Sequence, residues 1–173
     1  DSTAYNKWRD MLRRCYNPKV HEKYPEYKDC TVSEEWKSFS NFRCWYEKNN
    51  YGGSNLNLDK DILYKGNKQY SPDTCCLDPG FINTLLTNGK VNRGELPLGV
   101  YKEEKNGNTC YRACMAVSSK NIKLGTFKTP EEAFQKYKEY KEQYIKDTAK
   151  RYKDKIPYSV YEAMMNWKVE ITD

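Results

Sequence analysis

"NLDKDILYKGNKQYSPDTCCLDPGFINTLL" occupies residues 57–86. Two apolar-bearing runs, LNLDKDIL and KQYSPDTCCL, flank Lys65-Gly66-Asn67. Glycine beside asparagine is a turn signal, so the spacing predicts a hairpin. Asp78-Pro79 then opens a short helix carrying Phe81, Ile82, Leu85 and Leu86, and Asn88-Gly89 ends it. The order strand, strand, helix puts Asp59, Lys60 and Asp61 at one strand end, Asp73 in the second arm and Asn83 on the helix.

Upstream, Tyr5, Trp8, Met11, Leu12 and Cys15 recur at helical spacing after Ser2 and Thr3, and Asn17-Pro18 stops the pattern. Arg9, Arg13 and Arg14 are expected towards solvent. KDCTV reads as a short strand, followed by Ser33 as the N-cap of a second helix with Glu34 and Glu35 in its first turn. Trp36, Phe39, Phe42, Trp45 and Tyr46 form its buried stripe, and residues 49–53, ending in Gly52-Gly53, terminate it.

Downstream, residues 92–98 (NRGELPL) have the composition of a linker, and the pattern then changes to alternation. GVYKEE, TCYRACMAV and IKLGTF predict three short strands, joined by Asn106-Gly107-Asn108 and Ser118-Ser119-Lys120. Thr129-Pro130-Glu131-Glu132 opens a long helix, with Thr as N-cap and Pro at its first position. Ala133, Tyr137, Tyr140, Tyr144 and Ile145 are its sheet-facing stripe, and the lysines and glutamates between them form a solvated face. After Ile156-Pro157, a last short helix and strand close the chain.

A chain of 173 residues with 38% hydrophobic content supports modest cores, best arranged as two small units. Formal charge is +6, of which +4 falls on residues 91–173, a bias that suits a polyanionic partner and equally a solvated lysine-rich surface. Seven cysteines contain no CxxC pair, which favours packed, reduced thiols over a disulfide framework or a zinc site. There is no apolar run of membrane-spanning length and no signal-peptide pattern, so a soluble, cytoplasmic protein is expected; Asp rather than Met at position 1 suggests a trimmed or processed chain.

The stretch from about Tyr5 to Leu86 resembles a phage and mobile-element branch of the HNH, or ββα-metal, nucleases. The resemblance rests on Leu58-Asp59-Lys60-Asp61, Gly66-Asn67, Ser71-Pro72-Asp73-Thr74-Cys75 and Ile82-Asn83. It implies hydrolysis of a phosphodiester with one Mg²⁺ or Mn²⁺ held by Asp59 and Asn83. It also implies that Lys60 stands where such nucleases carry a histidine that activates water. Lysine, with an ordinary pKa of about 10.4, holds a phosphate without acting as a base. Asp61 or Asp73 is left to orient water. His21, the single histidine, lies in a polar loop and reads as structurally idle.

The stretch from Gly99 to about Tyr144 resembles the DNA-binding domain of plant ethylene-response factors, a domain also found attached to phage HNH nucleases. The matches are Gly99, Val100, Tyr111, Ala113, Leu124-Gly125-Thr126-Phe127, Thr129, Glu131-Glu132-Ala133 and Tyr137. The resemblance implies a three-stranded sheet laid in the major groove of double-stranded DNA and braced by the helix. Tyr101, Glu103, Tyr111 or Arg112, and Lys123 are then candidates for the groove, with Lys102, Lys105, Lys120 and Lys128 near phosphates. The alternation leaves open which set faces outward.

The whole chain is therefore expected to be α+β. Residues 1–90 would hold N-terminal helices with a ββα-metal-like hairpin and helix, residues 91–155 a three-stranded antiparallel sheet packed on a long helix, and residues 156–173 a helical extension. The expected function is that of a phage or mobile-element DNA-binding protein of the HNH endonuclease type, nicking DNA in a bacterial host's cytoplasm through a degenerate site. The alternative is a catalytically inactive scaffold that binds DNA or a host protein, for example as a host-defence inhibitor.

Overall fold

The computed structural model describes residues 2–52, 55–87, 95–117 and 120–173. The expected helix end at Asn88-Gly89, the first part of the linker, Gly53 and the turn at Ser118-Ser119 lie outside the described residues. Helix and sheet are mixed in two compact units. One comprises Asp1–Leu86 with Asp154–Ala163, the other Thr87–Lys153 with Met164–Asp173, so the expected extension 156–173 is shared between them. No helix among the described residues is long and apolar enough to cross a membrane.

The first unit begins with α1 (Ser2–Tyr16) and α2 (Pro18–Lys23), the latter capped by the Asn17 side chain, which accepts from Lys19 N. Ala4, Met11 and Cys15 are the buried positions of α1, while Tyr5 is exposed and Arg14 turns inward, against the solvent-facing expectation. The second helix, α3 (Phe39–Asn49), starts later than expected. Glu35–Lys37 form a separate 3₁₀ turn, and Ser38 rather than Ser33 stands at the N-cap. The stop at Ser38 lets Trp36 drop fully into the core, where it meets Phe42 and Trp45 edge-on.

The strand pairing also differs from a simple hairpin. β2 (Leu56–Asp59) pairs antiparallel with β4 (Cys76–Pro79), whereas β3 (Gln69–Tyr70), immediately after the Gly66 turn, pairs in parallel with β1 (Thr31–Val32). The turn carries the chain across to an upstream strand, and Ser71–Thr74 bring it back. Asp78 and Pro79 belong to β4, so α4 starts at Gly80 and runs Gly80–Leu86, burying Ile82 and Leu86. Cys75 and Cys76 are packed thiols, and burial pushes Cys75 up to about 12. All seven cysteines are free.

The second unit is a three-stranded antiparallel sheet of β5 (Val100–Lys105), β6 (Asn108–Val117) and β7 (Lys120–Phe127), covered by α5 (Pro130–Tyr152). Asn106 and Gly107 both have positive φ, the signature of the tight turn that matches strand twist. Thr129 and Glu132 form a reciprocal capping box at the start of α5. The buried stripe of α5 is Ala133, Phe134, Tyr137, Lys141, Ile145, Thr148 and Ala149. It passes beside Tyr140 and Tyr144, which stay half-buried, because successive steps of three and four rotate it away from them.

Gly99 sits at φ +75° with Tyr137 of α5 against it, and an added Cβ would lie 2.0 Å from the Tyr137 ring. Gly99→Ala is expected to destabilise this unit by about 2–4 kcal/mol, combining left-handed strain with overpacking. Thermal unfolding followed by circular dichroism checks this; an unchanged transition would refute the contact.

Candidate functional site

β2 ends in Asp59, and the cleft beside it is organised around that carboxylate. Its Oδ1 accepts the backbone N–H groups of Asp61 at 2.6 Å and Ile62 at 2.9 Å, turning the chain immediately after the strand. Its Oδ2 accepts from Asn83 Nδ2 at 2.5 Å. The antiparallel register sets Pro79 opposite Leu56, so α4 starts beside the beginning of β2 and its Asn83 reaches back to Asp59 at the strand's end.

Lys60 is 6% exposed, and its Nζ donates to Asp61 Oδ2 at 2.5 Å. Burial works against its charge, but the hydrogen bond and charge of Asp61 outweigh it and hold the ammonium above its ordinary value. The Asn67 side chain bonds the Lys60 and Gln69 carbonyls at 2.9 and 2.7 Å and so ties the intervening loop to β3. Lys60 Nζ lies 5.9 Å from the centre of the Tyr70 ring.

These groups open onto one cleft of about 240 Å³, lined by Arg14, Tyr27, Asn57, Leu58, Asp59, Lys60, Asp61, Tyr70 and Asn83. Four of the five residues singled out from sequence thus meet there. Asp73 does not: it is exposed on the Ser71–Thr74 turn, which serves instead to place the Pro72 carbonyl for Trp45 Nε1 at 3.2 Å. His21 contacts the Arg14 carbonyl through Nε2 at 2.8 Å and is not part of the cleft lining. Arg14, Tyr27, Tyr70 and Asn57 were missed, and the available signal was weak: Arg14 directly precedes Cys15 in the buried stripe of α1.

Asp78, in β4, is tied to the cleft through Asn83. It is 0% exposed, its Oδ1 accepts from Asn83 N at 3.2 Å, and its Oδ2 is buried without a hydrogen-bond partner. Burial, then the charge of Asp59, pushes its carboxyl up to about 7. An unfolded Asp ionises near 3.9, so between these two values the folded chain holds the extra proton. The stabilisation is therefore complete below about pH 4 and is lost as pH rises through about 7. The first unit is expected to lose up to about 4 kcal/mol between these limits. In Asp78→Asn the pH dependence should flatten. Urea unfolding at pH 5.5 and pH 8, read by fluorescence of Trp8, Trp36 and Trp45, tests this; equal pH sensitivity in both proteins would exclude Asp78 as the cause.

The donor set has a clear bias. Among the described residues no group of three His, Cys, Asp or Glu side chains could hold a metal ion. Asp59 Oδ2 and an Asn83 amide turned to present its oxygen are two adjacent hard donors. That set fits Mg²⁺ or Mn²⁺, which take one or two protein oxygens and complete their shell with water and phosphate.

In the second unit, cross-strand partners fix which residues share a face. Val100, Ala113 and Gly125 are aligned, and Val100 and Ala113 are buried on the α5 side. Tyr101, Arg112 and Thr126 are aligned on the opposite, open face, to which strand alternation adds Glu103 and Lys105. Lys102 and Tyr111 pair with each other on the α5 side, and Lys120, Lys123 and Lys128 are all exposed. Arg112 Nη1 pairs with Glu103 Oε1 at 2.5 Å, and its guanidinium lies 5.7 Å from the Tyr101 ring centre. Glu103 is thus the clamp that holds the open face's arginine.

Comparison with protein-family models, with curated proteins and with solved structures finds no match for this chain.

Proposed function

We propose that the first unit is a ββα-metal, HNH-type phosphodiester site of phage or mobile-element origin that nicks DNA with Mg²⁺ or Mn²⁺, and that the second unit binds double-stranded DNA through the open face of its sheet. The observation that carries this reading is the meeting of Asp59, Lys60, Asp61 and Asn83 in one open cleft.

In this reading Asp59 Oδ2 and the Asn83 side chain hold the divalent ion. When bound, the ion supplies Lewis-acid stabilisation of charge on the phosphate and the leaving oxygen. Lys60, kept protonated by Asp61, donates to a phosphate oxygen and cannot take a proton from water. Asp61 then orients the water, and the absence of a histidine from the cleft lining makes the reaction slow. On the sheet, Arg112, paired with Glu103 and set beside the Tyr101 ring, is the group suited to a base edge, and Lys105, Lys120, Lys123 and Lys128 suit phosphates.

A second reading is favoured by one observation, the short Lys60–Asp61 pair, which occupies both groups with each other. In it the cleft binds without cleaving, and the protein acts on DNA or on a host protein, for example as an inhibitor of host defence.

Nicking of supercoiled plasmid in Mg²⁺ and in Mn²⁺, with a chelator control, together with a gel shift of duplex DNA over a salt series, decides between them. Metal-dependent nicking supports the first reading. Salt-dependent binding without nicking leaves the binding scaffold, and no salt-dependent DNA binding would overturn the DNA readings in favour of a protein partner.

A further inference from the structure

Arg14 belongs to none of the motifs that point to the cleft, yet it lines the same cleft as Asp59, Lys60 and Asn83. It comes from the last turn of α1, a helix whose other terminal arginine, Arg13, is exposed and paired with Asp10. Three features place Arg14. Its side chain lines the cleft together with Tyr70, it lies 5.7 Å from the centre of the Tyr27 ring, and its carbonyl meets His21 Nε2 at 2.8 Å.

The two cations of the cleft are differently committed. Lys60 is ion-paired with Asp61 at 2.5 Å. Among the described residues no carboxylate forms a salt bridge with Arg14; the Tyr27 ring and Tyr70 stand beside its guanidinium, and the Asp10 charge, paired with Arg13, acts on it from one turn back along α1. A guanidinium has five N–H donors in a rigid fork, and a tyrosine oxygen uses few of them. An arginine oriented by aromatic and hydroxyl groups in an open polar cleft keeps donors for an anion, and the fork matches two phosphate oxygens at once.

We propose that Arg14 is a phosphate subsite of the cleft, gripping a phosphodiester of the DNA strand that lies beside Lys60, with Tyr27 and Tyr70 holding the fork in position. This rests on the reading of the cleft as a phosphodiester site but not on its being catalytic. A purely structural Arg14, tying α1 to β3, is the competing account.

The full chain is tested as wild type, Arg14→Gln and Arg14→Lys, first by urea unfolding to establish that each variant folds. Binding of a short DNA duplex is then measured by fluorescence anisotropy in metal-free buffer from 50 to 300 mM KCl. Each phosphate contact contributes about 0.9 to the slope of log K against log [salt], so Arg14→Gln should lower that slope by about 0.9 and weaken binding about 10-fold near 0.1 M salt. Arg14→Lys keeps the charge but loses the fork, and should keep the slope while binding about 3-fold more weakly.

A folded Arg14→Gln protein with wild-type slope and affinity would overturn the subsite, whether or not the wild type nicks plasmid. If Arg14→Gln does not fold, Arg14→Lys decides, and wild-type affinity there would overturn the proposal. A reduced slope in a protein that does not nick supports the subsite and sinks only the catalytic reading. Absence of duplex binding by the wild type would overturn both.

Discussion

Asp59→Ala is expected to reduce metal-dependent nicking of supercoiled plasmid by about 10³-fold, which corresponds to about 4 kcal/mol of transition-state stabilisation, the scale of a lost Lewis acid. Duplex binding should stay within about 3-fold of wild type, since Asp59 repels rather than attracts a phosphate. The alanine also removes the acceptor that turns the chain at Asp61 and Ile62. A loss of stability of about 1–3 kcal/mol is therefore expected alongside, from donors left without an acceptor. Asp59→Asn separates the two effects: its amide oxygen can still accept both N–H groups, but its charge is gone. Loss of nicking in both variants, with normal stability in the asparagine one, would assign the defect to the carboxylate. Wild-type nicking by either variant would remove Asp59 from the chemistry.

Trp36→Ala is expected to cost the first unit about 3–5 kcal/mol, a large share of the roughly 5–15 kcal/mol that holds a typical domain together. Trp36 is 0% exposed, with its ring 5.0 Å from Phe42 and 4.7 Å from Trp45. Its backbone carbonyl accepts from Trp8 Nε1 at 2.8 Å, so α1, α3 and the 3₁₀ turn meet around it. The Trp36 Nε1 itself is buried without a hydrogen-bond partner. Trp36→Phe discards that unpaired donor while keeping an aromatic ring, and should cost about 1–2 kcal/mol. Urea midpoints followed by the remaining tryptophans measure both. A cost below about 1 kcal/mol for the alanine variant would show that the core does not depend on this ring.

How far the sequence was legible depended on the range of the interactions. Local signals held: Asn106-Gly107 makes its tight turn, Thr129-Pro130 opens α5, and the stripe Trp36, Phe42, Tyr46 is buried. Gly66 does mark a turn, but pairing after it was settled by an upstream strand, because Thr31-Val32 offered Gln69-Tyr70 an edge that no local rule records. The motif placed Asp59, Lys60, Asp61 and Asn83 within one short stretch, and the structure brings them together. Sequence proximity misled for Asp73, which sits on an exposed turn, and gave no warning of Arg14, whose position is decided by the packing of α1 against β1. On the sheet, alternation alone left two faces open. Val100 and Ala113 against α5 settle that Tyr101, Glu103 and Arg112 are on the other one.

The parallel bridge between β1 and β3 is only two residues long, flanked by Thr31 N to Lys68 O at 2.8 Å and Ser33 N to Tyr70 O at 2.9 Å. So short a ladder is a natural first point of sub-global opening, and Tyr70, which orients Arg14 and underlies Lys60, rides on it. The amides of Thr31 and Ser33 should then exchange with solvent deuterium together and ahead of the β2–β4 ladder. A ligand that grips Arg14 and Lys60 would slow that exchange by binding the closed form, so protection of these two amides reports occupancy of the cleft from its far side.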